Sequence, residues 1–190
     1  MLLGKAAIAI WCHIDASLRA EHDAWHSGEH LPERLAIPGF LRGRRCRAPD
    51  EAAAWPYFMM YEVRDAAVMT SPAYLERLNN PTPWSRKLFV STRLSRTLCR
   101  IVESRGTGVG GQVLTSQEKM HPKEIFGMPG VTAVHLLEKD SSMARPRTSE
   151  ERLRGGADDS IERLLVVEGH DLAAVKLPGE RYRLAHLLAA

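Results

Sequence analysis

Short runs with a two-residue apolar period dominate the chain, and they are separated by fewer helical stretches. In Ala6–Ile14 both alternating faces are apolar, with Ile8, Ile10, Cys12 and Ile14 on one and Ala7, Ala9, Trp11 and His13 on the other. That pattern predicts a central strand covered on both sides. Asp15 or Ser17 then caps a helix in which Leu18, Ala24, Trp25, Leu31 and Leu35 share one broad side. Gly28 falls on the same side, where it would allow close approach to a sheet, and Pro32 kinks or restarts the helix. Ile37-Pro38-Gly39-Phe40 is a turn into a strand over 40–48, and Tyr57–Val63 is a second strong strand. Asp65 caps a further helix, restarted at Ser71-Pro72 and ended by Asn79-Asn80. A short turn or helix opens at 81–84 before a long strand over 93–103. The order βαββαβ is the ferredoxin-like unit.

The pattern then partly repeats. Residues 106–111 form a Gly-rich linker, followed by a strand over 112–118 and a short turn or helix over 120–126. Met128-Pro129-Gly130-Val131 echoes Ile37-Pro38-Gly39-Phe40, and each leads into a strand. The polar, charged stretch 140–159 reads as a long mobile loop. Strand, short helix and strand follow over 163–168, 170–176 and 182–189. Residues 1–105 are thus expected to form a more complete ferredoxin-like repeat, and 112–190 a reduced one that keeps four strands.

Composition adds exclusions. At 190 residues and 44% hydrophobic content the chain can bury a substantial core. No apolar run spans a bilayer. Residues 1–14 lack the small-residue cleavage site of a signal peptide, so a cytoplasmic location is expected, without membrane attachment. The net charge is only +3 with basic and acidic residues intermixed, which argues against a nucleic-acid partner. Cys12, Cys46 and Cys99 lie in strand-like runs and form no CxxC pair, so they read as packed, reduced thiols.

The run from Glu21 to Phe40 contains Trp25, Glu29-His30, Leu31-Pro32 and Pro38-Gly39-Phe40. It resembles the first helix and turn of the dimeric α+β barrel superfamily, especially its EthD-like members. Tyr57–Val63 and the helix start at 71–74 fit as well. The resemblance covers about the first 103 residues closely and the rest in outline. It implies two four-stranded antiparallel sheets, helices on their outer faces, closed into a barrel. Two chains usually supply the sheets. Here tandem ferredoxin-like repeats would supply both within one chain, with a homodimer still open. The superfamily includes cofactor-free monooxygenases, isomerases, haem-using enzymes and proteins with no known activity, so the resemblance speaks to fold more than to reaction.

Candidate chemistry concentrates in the first half. His22, His26 and His30 recur every four residues and form one stripe, opposite Ala24, Leu31 and Leu35, so His22 and His26 read as a solvated face. His30 sits where the helix breaks, and the resemblance implies that this histidine reaches the pocket between helices and sheet. It is the candidate catalytic acid or base. Trp25, Arg34, Tyr61, Trp84 and His13 are the candidate substrate-binding groups. His26-Ser27-Gly28-Glu29-His30 also matches the H-x-x-E-H zinc pattern, but no third ligand is identifiable and no metal is expected. Arg42, Arg44, Arg45 and Arg47 alternate along a strand expected at a sheet edge, where charges deter aggregation. Three functions follow. The first is a cofactor-independent oxygenase, isomerase or lyase acting on an aromatic or anionic small molecule. The second is a haem-binding module with a histidine axial ligand. The third is a barrel whose pocket is filled by its own side chains.

Overall fold

The two-sided apolar pattern of Ala6–Ile14 has a direct cause. Strand β1 (Ala6–Ile14) lies between β3 (Tyr57–Val63) and β4 (Thr92–Arg105), antiparallel to both. Its Ala7, Ala9 and Trp11 enter a core shared by both halves of the chain, whereas Ile8, Cys12 and Ile14 face helices. The structure, a computed structural model, describes residues 1–50, 52–142, 148–154 and 161–190.

The other strands are β2 (Phe40–Arg47), β5 (Gln112–Ser116), β6 (Val131–Lys139), β7 (Arg163–Gly169) and β8 (Glu180–Ala189). The first four lie in the order β4-β1-β3-β2, and the last four continue around the barrel in the equivalent order β8-β5-β7-β6. Edges meet through β2–β8 and β4–β6, so the eight strands close into a barrel of antiparallel neighbours. Closure leaves no unpaired edge among the described strands. The fold is therefore a tandem ferredoxin-like α+β barrel within one chain. The two Pro-Gly turns are equivalent in geometry too, since Gly39 and Gly130 adopt φ of 98° and 82°. A Cβ on Gly130 would lie 1.8 Å from the Asp171 carbonyl oxygen.

Helices α1 (Arg19–Trp25), α2 (Leu31–Leu35), α3 (Pro72–Asn79) and α4 (Pro83–Phe89) cover the outer face of the first sheet. A π-helical turn, His26–His30, joins α1 to α2. Ser71 and Thr82 cap α3 and α4 through their hydroxyls. Over the second sheet lie α5 (Pro122–Phe126) and a non-helical segment whose Leu172 and Val175 are buried with Ile125. The short helix expected over 170–176 is thus a turn, in which Arg181 donates to the Leu172 and Val175 carbonyls. Within the expected loop 140–159, α6 (Ser149–Arg154) is a helix docked against α3 and α4. Residues 143–147 and 155–160 of that expectation lie outside the described residues.

The barrel interior is apolar at its centre, with Phe58, Met60, Leu137, Leu164, Val166 and Tyr182, and charged toward one end. Arg44, wholly buried, donates to Glu62 at 2.5 Å and to Glu168 at 2.6 Å. His135 Nε2 lies 3.1 Å from Glu168, and Glu168 also accepts from the Gly110 amide at 2.9 Å. Burial would raise the Glu168 carboxyl, but His135, Arg44 and Gly110 together hold it down at about 2. Arg44 and His135 are both fifth in their strands, and Glu62 and Glu168 both sixth. The two repeats thus contribute equivalent residues to one network. This corrects the edge-strand expectation for the arginines: β2 pairs with β8, and Arg44 holds the halves together instead of guarding an edge. The three cysteines are buried, and burial pushes the Cys46 thiol up to about 12.

Candidate functional site

A helix packed on a sheet ordinarily turns apolar residues inward. Here the inward side of the first helical segment carries Arg19, His22, Trp25, His26, Leu31, Arg34 and Leu35, all buried, while Ala24 and Gly28 face solvent. This overturns two expectations. His22 and His26 are not a solvated face, and Gly28 does not approach the sheet, since a Cβ placed on it would have no neighbour within 4 Å. The π-helical turn is the cause. It holds an extra residue relative to a regular turn, so the inward positions step from His26 to Leu31. Glu29 anchors this distortion by accepting from Trp25 Nε1 at 3.1 Å, Thr82 at 2.6 Å and Ser85 at 3.3 Å.

Between this helical face and the sheet lies a cavity of about 50 Å³. Its apolar wall includes Ile8, Ile10, Met59, Trp25, Phe89 and Leu94, and its polar groups are His22, His26, His30, Arg34, Tyr61, Tyr74, Arg96 and Glu150. Four of the six sequence candidates therefore meet here: His30, Trp25, Arg34 and Tyr61. His30 is half-buried, its ring 4.4 Å from Trp25 and 6.4 Å from Tyr61 between centroids. The other two do not join them. His13 is on the same alternating face of β1 as Ala7, Ala9 and Trp11, turned from the helices. Trp84 donates to Glu21 at 3.2 Å and is not among the lining residues.

Three groups had no clear signal. His26 has no exposed surface, and its Nε2 lies 3.1 Å from the Tyr61 hydroxyl. Its Nδ1 is buried with no hydrogen-bond partner. Burial first, and then the positive fields of His22, Arg45, His186 and Arg34, hold its pKa well below the usual histidine value, so the ring is neutral at pH 7. Burial also raises the Tyr61 hydroxyl, which stays a phenol. Glu150 comes from α6, in the second half of the sequence, and pairs with Arg34 Nη2. Arg96 donates to the Tyr74 hydroxyl at 2.5 Å beside the same cavity. The earlier hints of His26 were the four-residue spacing of His22, His26 and His30 and the H-x-x-E-H match, neither of which pointed to a buried ring. Chemically the arrangement offers a neutral imidazole coupled to a phenol, next to guanidinium groups and against an aromatic wall. Among the described residues no group of three or more His, Cys, Asp or Glu side chains is placed to hold a metal ion.

A second cleft, about 420 Å³ and open to solvent, lies at the barrel mouth away from Arg44, between Trp11, Trp55, Thr115, Ser116 and Glu180. Its acidic rim, Glu118 and Glu180, is exposed, and its buried polar side chains are the hydroxyls of Ser95, Thr115 and Ser116, without the imidazole and guanidinium groups of the first cavity. No helix among the described residues is long and apolar enough to cross a membrane.

No family model matches the sequence, and no curated protein does. Solved structures do share its fold. An anthrone oxidase-like protein superposes with a TM-score of 0.60 at 8% identity, over 97% of this chain and 92% of its own. Two provisionally assigned monooxygenases each reach a TM-score of 0.52. The one from Lactobacillus acidophilus NCFM is 11% identical, over 97% of this chain and 96% of its own. The one from Fusobacterium nucleatum subsp. nucleatum is 8% identical, over 99% of this chain and 96% of its own. This chain shares the fold of these neighbours, an α+β barrel with both halves drawn from a single polypeptide.

Proposed function

We propose that the chain is a small-molecule enzyme that binds an aromatic, anionic ligand between the first sheet and α1–α4 and removes a proton from it. The observation that carries this reading is the buried His26–Tyr61 pair, with His26 neutral and its Nδ1 without a partner. A buried polar atom left without a partner is costly, and a ligand group would satisfy it. A neutral imidazole accepts a proton at pH 7, and Tyr61 orients the ring through Nε2. Arg34 and Arg96 supply positive charge where the ligand's anion would form. Trp25 and Phe89 supply the ring-sized apolar wall, and His30 stands at its edge as a second titratable group.

The names of the structural neighbours support oxidation as the reaction class. A hydroxyaromatic ligand that gives its proton to His26 becomes an electron-rich anion that dioxygen can attack. Conversion of a CH₂ group and O₂ into C=O and H₂O balances without an added reductant.

The test is oxygen uptake with a panel of hydroxyaromatic compounds. The wild type consumes oxygen with at least one of them, and His26→Gln loses about 100-fold or more of that rate, the usual scale for a lost general base, while melting cooperatively. Full turnover by a folded His26→Gln protein refutes the assignment of His26.

A further inference from the structure

We infer that the Glu150 carboxylate holds the place of a ligand carboxylate, so that ligand entry is an exchange of one anion for another on Arg34. This rests on the proposed function of the same cavity and goes further by naming the ligand's recognised group. The space present, about 50 Å³, is small against the roughly 150 Å³ that a benzene-binding cavity needs. An aromatic ligand therefore has to displace a lining group. Most lining residues belong to the first sheet or to helices α1–α4, whose side chains form continuous buried clusters. Glu150 is different, because it arrives on the six-residue α6 from the connection between β6 and β7.

Displacing Glu150 has a consequence. Arg34 is 5% exposed, and Glu150 is its ion-pair partner, itself 4% exposed. Taking that carboxylate away leaves an uncompensated guanidinium in a dry site, which is strongly unfavourable. An entering ligand is accepted only if it brings an anion. Glu150 engages Nη2 alone, and Nη1 is buried with no hydrogen-bond partner. A planar carboxylate placed across the fork would use both nitrogens, the arrangement a guanidinium favours. The site thus selects an aromatic carboxylate over a neutral aromatic compound, and Glu150 sets the affinity that the ligand has to exceed.

The experiment is calorimetric titration of the full chain with benzoate and, separately, benzyl alcohol. Glu150→Gln is expected to bind benzoate at least tenfold more tightly than the wild type, and benzyl alcohol at least tenfold more weakly than benzoate. Glu150→Asp, which keeps the charge but shortens its reach, is expected to bind benzoate several-fold more tightly than the wild type and serves if the Gln variant does not fold. Arg34→Met combined with Glu150→Gln removes both charges and is expected to lose the gain. Benzoate bound by the wild type and no more tightly by Glu150→Gln or Glu150→Asp overturns the exchange while leaving the pocket intact. Neither compound bound by any of the proteins overturns both the exchange and the functional reading it rests on.

Discussion

The Tyr61 hydroxyl lies 3.1 Å from His26 Nε2, a contact between the middle of strand β3 and the π-helical turn across 35 positions of sequence. Neither side chain has more than 2% of its surface exposed. Tyr61→Phe leaves the imidazole without this partner and keeps the ring volume. The expected loss is about 1–2 kcal/mol, because the penalty of an unpaired buried group adds to a modest net hydrogen bond. For a chain of this length that is a fall in Tm of about 5 °C. An unchanged Tm by calorimetry shows the contact to be energetically empty.

Stability is expected to fall in two stages on acidification. His26 and His135 both have folded pKa values lowered from 6.5, burial being the first cause in each. The unfolded chain then binds more protons than the folded one below about pH 6.5, so stability present at pH 7 declines as pH drops. Each such histidine contributes a slope of about 1.4 kcal/mol per pH unit while its folded form stays neutral. Glu168, held at about 2 against an ordinary 4.5, adds a second loss as pH falls from about 4.5 toward 2. Urea denaturation at pH values stepped from about 7.5 down to about 2.5 measures both stages. His26→Gln flattens the limb between 6.5 and 5. A slope unaltered in that variant means that His26 titrates normally in the folded protein.

Arg44→Met isolates the network that joins the two repeats. It leaves Glu62 and Glu168 facing each other in the barrel interior with their shared cation gone. Removing one partner of a buried ion pair costs about 3–5 kcal/mol, a Tm fall of about 10 °C or more at this size. Arg47→Met, on the same strand but 38% exposed at its side chain, is expected to stay within about 1 °C of wild type. Equal melting temperatures for Arg44→Met and Arg47→Met contradict the assigned role of the network.

Two glycines respond oppositely to the same change. Gly130→Ala forces a positive φ on a side chain whose Cβ meets the Asp171 carbonyl, and a loss of about 1–3 kcal/mol or more is expected. Gly28→Ala fills open space in a helical turn and is expected to gain about 0.5–1 kcal/mol by reducing the freedom of the unfolded chain. Denaturant midpoints for the two variants decide the matter, and a shift in the same direction for both breaks the account of these turns.

The strands were legible because their apolar alternation survives folding unchanged. Ala7, Ala9 and Trp11 enter the barrel and Ile8 and Ile14 face the helices, as their spacing requires. The helix was legible as an element but not in its facing. Polar side chains are normally assigned to solvent, and this rule fails where a site buries them. A continuous 3.6-residue period also cannot anticipate the extra residue in His26–His30. His30, Trp25, Arg34 and Tyr61 were recoverable from the resemblance around Glu29-His30-Leu31-Pro32 and from their shared half of the chain. Glu150 was not, because a contact across 116 positions leaves no local trace in a polar stretch. The closing contacts β2–β8 and β4–β6 are likewise non-local, although the repeated Pro-Gly turn pointed to equivalent halves.

The most direct test of the central claim is a crystal structure of the wild-type chain grown with saturating salicylate. The account predicts density between the first sheet and α1–α4, with the carboxylate on Arg34 and the ring against Trp25 and Phe89. Density only at the barrel mouth between Trp11 and Trp55, or a cavity beside His26 that stays empty at saturation, contradicts it.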